Sequence, residues 1–120
     1  MAVRAVRGAI QVDQDERQQL LDATTELLRA VLGRNGLGQE DLISVVFTAT
    51  PDLTSEFPAY AARQLGLVDV PLMCATEIAV AGAMPRVVRL MAHVETDLPR
   101  ADIHHVYLRG AAALRRDLPS

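Results

Sequence analysis

The chain has no lysine, no tryptophan and a single cysteine, and its aromatic side chains are two tyrosines and two phenylalanines. One cysteine excludes an internal disulfide and fits a reducing compartment. So few rings give nucleobases no stacking platform, and a net charge of −3 argues against nucleic-acid binding through a general positive field. No apolar run approaches the roughly 20 residues of a membrane span. The N-terminus enters a strand-like pattern directly, without the apolar core of a secretory signal. The expectation is a soluble, cytoplasmic protein with neither a membrane nor a nucleic-acid partner. Also absent are a Gly-rich phosphate loop, a dinucleotide fingerprint, a nucleophile elbow and a Ser-His-Asp signature. His93 stands alone, and the adjacent His104 and His105 would point to opposite faces of a strand. With one Cys besides, no metal site and no cofactor are expected.

What is present is 50% apolar, with mean hydropathy +0.15. There is no repeat, low-complexity tract or linker, so residues 1–120 read as one domain able to hold its own core. All 12 basic residues are arginines, planar forks suited to a bidentate grip on a carboxylate.

Residues 3–12 alternate as a strand, with Val6, Ile10 and Val12 sharing a face with Arg4 and Gly8. Arg7 falls on the other face between Ala5 and Ala9, where a lone arginine by itself reads as a surface residue. Asp13 and Glu16 have capping-box spacing. After them Leu20, Leu21, Thr24, Leu27, Leu28, Val31 and Leu32 recur at helical spacing, until Gly33 and Asn35-Gly36 stop the helix. Residues 42–50 form the clearest strand, with Ile43, Val45, Phe47 and Ala49 as its apolar face and Ser44, Thr48 and Thr50 on the other. Pro51 ends it. A loop carrying an exposed-looking Phe57 leads to Pro58 and a short helix over 59–65, closed by Gly66. Arg63 on this helix reads alone as a solvated cation. Residues 105–109 make a last strand, with Val106 and Leu108 inward and Tyr107 opposite.

Polar chemistry enters an apolar setting in residues 71–94. Cys74 and Glu77 lie three apart after a Val-Pro-Leu-Met run. A small-residue turn then leads into a strand on which Arg89 shares a face with Val87 and Met91, while Val88, Leu90, Ala92 and Val94 line the other. An arginine between apolar neighbours calls for an anionic partner. Glu77, an external ligand or a solvated sheet face would each answer that demand. Arg7, Cys74, Glu77, Arg89, Tyr107 and Arg115 are together suited to hold a carboxylated small molecule and stabilise charge. They supply neither nucleophile nor metal, which fits a unimolecular reaction helped by positioning and electrostatics.

Several motifs in order carry a resemblance: Arg4-x-x-Arg7-Gly8-Ala9; Thr50-Pro51-Asp52-Leu53 with Phe57-Pro58-Ala59; Val70-Pro71 with Cys74-x-x-Glu77; Arg89 in its apolar strand; His105-Val106-Tyr107-Leu108; and Leu114-Arg115-x-Asp117-Leu118. Over residues 3–118 the chain resembles the monofunctional, AroH-type chorismate mutases, the mixed α/β class. That resemblance implies the Claisen rearrangement of chorismate to prephenate, without covalent intermediate. It also implies that Arg89 faces the ether oxygen, that Arg7 and Tyr107 hold carboxylates, and that Glu77, with Cys74 beside it, meets the ring hydroxyl. Phe57 and Leu114 would be apolar walls, Met73 would line the pocket where many relatives have a smaller polar residue, and Arg63 and Arg115 would be outer cations. Tyr60 stands where relatives commonly carry lysine or another polar residue.

The implied fold is α/β (α+β): a single domain with a mixed sheet covered by helices on one face. Three copies would pack their sheets into a barrel-like core, with pockets between subunits. Two other readings fit the arginines: a trimeric imine-deaminase-like enzyme, which would not need Glu77, Cys74 and Tyr107 in this arrangement, and a non-catalytic dicarboxylate-binding module.

Overall fold

The alternation in the strands sorts each of them into an apolar side and a mixed side, and one sheet follows from it. The computed structural model describes residues 1–115. The elements run β1 (Ala2–Gln11), α1 (Arg17–Arg34), β2 (Leu42–Ala49), α2 (Ala59–Gln64), β3 (Leu72–Thr76), β4 (Val87–Thr96) and β5 (Val106–Leu108), with 3-10 turns at Gln39–Asp41, Arg100–Asp102 and Arg109–Arg115. The strands order as β3-β2-β4-β1-β5. Central β4 runs antiparallel to β1 and β2, while β3 is parallel to β2 and β5 is parallel to β1.

Both helices pack on one face. Val6, Ile10, Phe47, Val88, Leu90, Ala92 and Val94 meet Leu20, Leu27, Leu28 and Val31 of α1 in one core. Gly8 sets how closely α1 approaches, since a Cβ there would stand 3.1 Å from the side chains of both Leu27 and Val31. The helix begins later than the Asp13–Glu16 spacing suggests. Glu16 is itself the cap, accepting from the Gln18 and Gln19 amides at 2.6 and 3.3 Å, because residues 13–15 turn first and Asp15 is spent on Thr54 and Ser55. At the far end the Asn35 side chain donates to the carbonyls of Val31 and His104 and accepts from the His104 amide, tying the helix end to the approach to β5.

The apolar face of β2 also differs from simple alternation. A register shift between Leu42 and Ser44 puts Leu42 in the core and leaves Ile43 38% exposed, as an extra residue in one strand does. Among the described residues no α-helix lies over the remaining sheet face. Among the described residues only a small cluster of Ala9, Val87 and Ala111, with Met84, Tyr107 and Leu114 against it, covers one end. No described helix is long and apolar enough to cross a membrane.

Candidate active site

Strand register brings the site together on the uncovered face. Ala75, Thr48, Arg89, Ala9 and Tyr107 are successive partners in one row across all five strands. The next row holds Met73, Val46, Met91 and Arg7. Arg7 and Arg89 are therefore diagonal neighbours on adjacent strands, a spacing of about 7–8 Å. Both are half-buried.

Arg89 has found the internal partner that its apolar neighbours demanded. Its Nε donates to both oxygens of Glu77, at 3.2 and 3.1 Å. Thr48 Oγ1 donates to Glu77 Oε2 at 2.6 Å. Glu77 reaches this place because its amide continues the β2–β3 ladder by one more bond, to the Ala49 carbonyl at 2.9 Å. A carboxylate offers about four acceptor sites; three are taken, leaving room for one more donor. The guanidinium is gripped through Nε alone, so its two terminal nitrogens make no hydrogen bond to a described residue. The Arg89 side chain is 42% exposed and that of Glu77 18%, so Glu77 is the inner member that aims Arg89 outward.

The start of β4 is clamped on both sides. Asp52 accepts from Thr50 Oγ1 at 2.5 Å and from the Arg86 amide at 3.0 and 3.2 Å, and Thr50 Oγ1 accepts from the Val87 amide at 3.0 Å. Toward β1, Arg86 exchanges two bonds with the Val12 backbone. Arg86 adopts a left-handed φ of 54°, a conformation that is strained for a non-glycine residue and is held here by these bonds. Thr48 and Asp52 were not singled out as site residues from sequence. The signal for Thr48 was its place on the non-core side of β2, and that for Asp52 was the Thr-Pro-Asp motif.

The other candidates gather elsewhere. Phe57, Arg63, Met73 and Cys74 line a cavity of about 330 Å³ between α2 and edge strand β3. Phe57, 70% exposed, and Cys74 also line an adjoining cavity of about 400 Å³ with Leu53 and Ala75. Cys74 pairs in register with the core residue Phe47 and so lies on the helix side, opposite Arg89. Its sulfur accepts from the Ala59 amide at 3.4 Å. Burial pushes this thiol above its usual pKa, against the opposing pull of the Ala59 hydrogen bond, so it stands as a neutral thiol. At Tyr60 the structure supplies a cation from another element: the Arg17 guanidinium sits 5.3 Å from the ring centroid and pairs with Glu56 at 2.9 Å. Leu114 is half-buried beside Tyr107. The Arg115 side chain and residues 116–120 lie outside the described residues. Among the described residues no three His, Cys, Asp or Glu are placed to share a metal ion.

Comparison with known proteins gives this arrangement a context. The model of the family "Chorismate mutase type I" matches residues 3–118. The chain is 50% identical over 119 residues to chorismate mutase AroH of Thermus thermophilus, covering 98% of both chains. It is 40% identical over 119 residues to chorismate mutase AroH of Bacillus subtilis strain 168, covering 98% of this chain and 94% of that one. Among solved structures, a chorismate mutase from Clostridium thermocellum superposes with a TM-score of 0.90 at 43% identity, over 92% of this chain and 98% of that one.

Proposed function

The chain belongs to the chorismate mutase type I family and is an isomerase that converts chorismate to prephenate; from that premise we propose how its residues do so. The rearrangement breaks a carbon–oxygen bond and makes a carbon–carbon bond within one molecule, so it needs neither nucleophile nor proton transfer. Negative charge grows on the ether oxygen as the bond lengthens. A fixed guanidinium facing that oxygen binds the transition state more tightly than the ground state. Arg89 is that group. The observation that carries this assignment is its grip through Nε by Glu77, itself held by Thr48, which sets the terminal nitrogens in advance. Donors set beforehand do not have to reorganise during the reaction.

Arg7, one row away, meets a substrate carboxylate, and Tyr107 donates to a carboxylate through its phenol. Glu77 accepts the ring hydroxyl at its remaining acceptor site. Phe57, Met73 and Leu114 wall the compact conformer, Cys74 lies near the hydroxyl end, and Arg63 and Arg115 act as outer cations. One chain leaves these residues in two groups, one on the open sheet face and one beyond β3. We infer a homotrimer in which one copy's Phe57–Arg63–Cys74 group closes over another's Arg89 face. The uncovered sheet supports this, as do exposed apolar side chains beside it, with Met73 62%, Ile78 87% and Val80 64% exposed. Family membership displaces the imine-deaminase and non-catalytic readings, and a cytoplasmic location fits the single thiol.

The test is consumption of chorismate with matching prephenate formation, alongside the mass of the active species by light scattering. Turnover by a trimer supports the shared pocket, whereas a stable monomer with full activity would overturn it.

A further inference from the structure

We propose that Glu26, on the exposed side of α1, is a positioning residue for the site on the opposite face of the sheet, acting through Arg109. β5 is an edge strand, and directly after it the chain turns. Arg109 adopts a left-handed φ of 55° there, a conformation disfavoured for any residue with a side chain. Gly110, one place on, would take that φ freely, yet the left-handed glycines are Gly36, Gly66 and Gly82. Gly110 serves close packing instead. A Cβ on it would overlap the side-chain amide of Gln11, which is itself held by donation from Nε2 to the Pro85 carbonyl at 3.0 Å. The turn thus falls on a residue whose side chain has work to do.

That side chain reaches the helix layer, where Arg109 Nη2 donates to Glu26 Oε1 at 2.8 Å. The backbone goes the other way. Ala111 is fully buried with Ala9 and Val87, and Leu114 and Tyr107 pack against them at one end of the open face. Ala9 lies between Arg89 and Tyr107 in the strand row. Arg109 therefore ties the two layers together at the β5 edge.

Releasing the ion pair removes an interaction that offsets the unfavourable φ. The turn then relaxes, and with it the segment that sets Leu114 against Tyr107. The effect on turnover rests on the roles proposed above for those two residues; the anchoring itself does not.

Hydrogen–deuterium exchange and steady-state kinetics of the full chain test the two parts. Glu26→Ala leaves α1 intact, since the position is exposed and alanine is the best helix former. It should speed amide exchange in residues 107–114 but not in β4. KM for chorismate should rise up to about fivefold, the range of an exposed ion pair, with kcat within about twofold of wild type. Simple destabilisation would instead lower the active fraction, read in kcat, and leave KM alone. Arg109→Gly keeps the turn without its anchor, so it should match Glu26→Ala, and the double variant should be no worse than either. The KM gap should close at about 1 M salt, where the screening length falls to about 3 Å. Unchanged exchange in Glu26→Ala, or KM effects that add in the double variant, would overturn the anchoring. Faster exchange with unchanged KM would overturn its link to the site. If exchange quickens in Glu26→Ala while the wild type leaves chorismate untouched, the catalytic reading falls and the anchoring stands.

Discussion

Arg89 and Leu90 are adjacent in sequence and belong to different problems. Leu90 is 3% exposed, packed with Phe47 and Val88 in the core under the helices. Arg89 points the other way, onto a face that no described α-helix covers, and is aimed by Glu77 and Thr48. With Arg89 in its proposed role, the two faces of the sheet divide stability from chemistry at a spacing of one residue. A strand allows this because successive side chains project to opposite sides, whereas a helix would have spread the same residues around a cylinder.

The sharpest way to break that division is to change the two neighbours separately. Arg89→Ala should lower kcat by at least 10²–10³-fold, about 3–4 kcal/mol of barrier for a lost oxyanion donor, with little change in the thermal unfolding midpoint. Arg89→Lys should restore part of the rate, since an ammonium is not a fork. Leu90→Ala should do the reverse. It should lose about 2–5 kcal/mol of stability in denaturant melts while keeping kcat per folded site near wild type. Large loss of stability in the first variant, or of kcat in the second, would mean that the faces are coupled.

Thr48→Val tests a finer point, whether aiming Glu77 matters as well as possessing it. The swap removes one charge-assisted hydrogen bond, so we expect a fall in kcat of about tenfold, with Thr48→Ser close to wild type. The smallest effect concerns Asp15, just before α1. Hydrogen bonds from Ser55 and Thr54 hold its carboxyl below the ordinary aspartate range. A group depressed in the folded state contributes stability that is present above its unfolded pKa and is lost as pH falls through the folded one. Asp15→Asn should therefore trim stability slightly at neutral pH and flatten the acid limb below about pH 4. The step should be small because the group is solvent-exposed.

How much of this was legible in the sequence depended on whether period two was visible. In β4 every other residue is apolar and small to medium in size, so the faces of Val88, Leu90 and Arg89 could be read directly, and the demand of Arg89 for an anion placed Glu77 among three possible answers without choosing between them. In β3 the run Leu-Met-Cys-Ala-Thr has no polar alternation. Nothing in it shows that Cys74 turns to the core side while Met73 and Ala75 share the face of Arg89. Ile43 was misplaced because a bulge has no residue signature there. The start of α1 was misplaced because Asp13 and Glu16 both make acceptable caps, and only the Asp15 contacts decide between them. The role of Thr48 needed the register of three strands, which no local pattern encodes.

The strand order also governs how the protein is made. The pair β1–β4 joins strands far apart in the chain, with Ala2 opposite Thr96, so β1 waits for β4 to be made. Contacts this distant in sequence slow folding, because the chain entropy of closing the loop is spent before the contacts form. A nascent chain that has exposed Arg7 carries an unpaired strand until residue 96 has emerged, and α1 is the local structure available to cover it meanwhile. The two arginines that lie on adjacent strands of the finished sheet are thus separated in time for most of synthesis, and they meet only as the sheet closes.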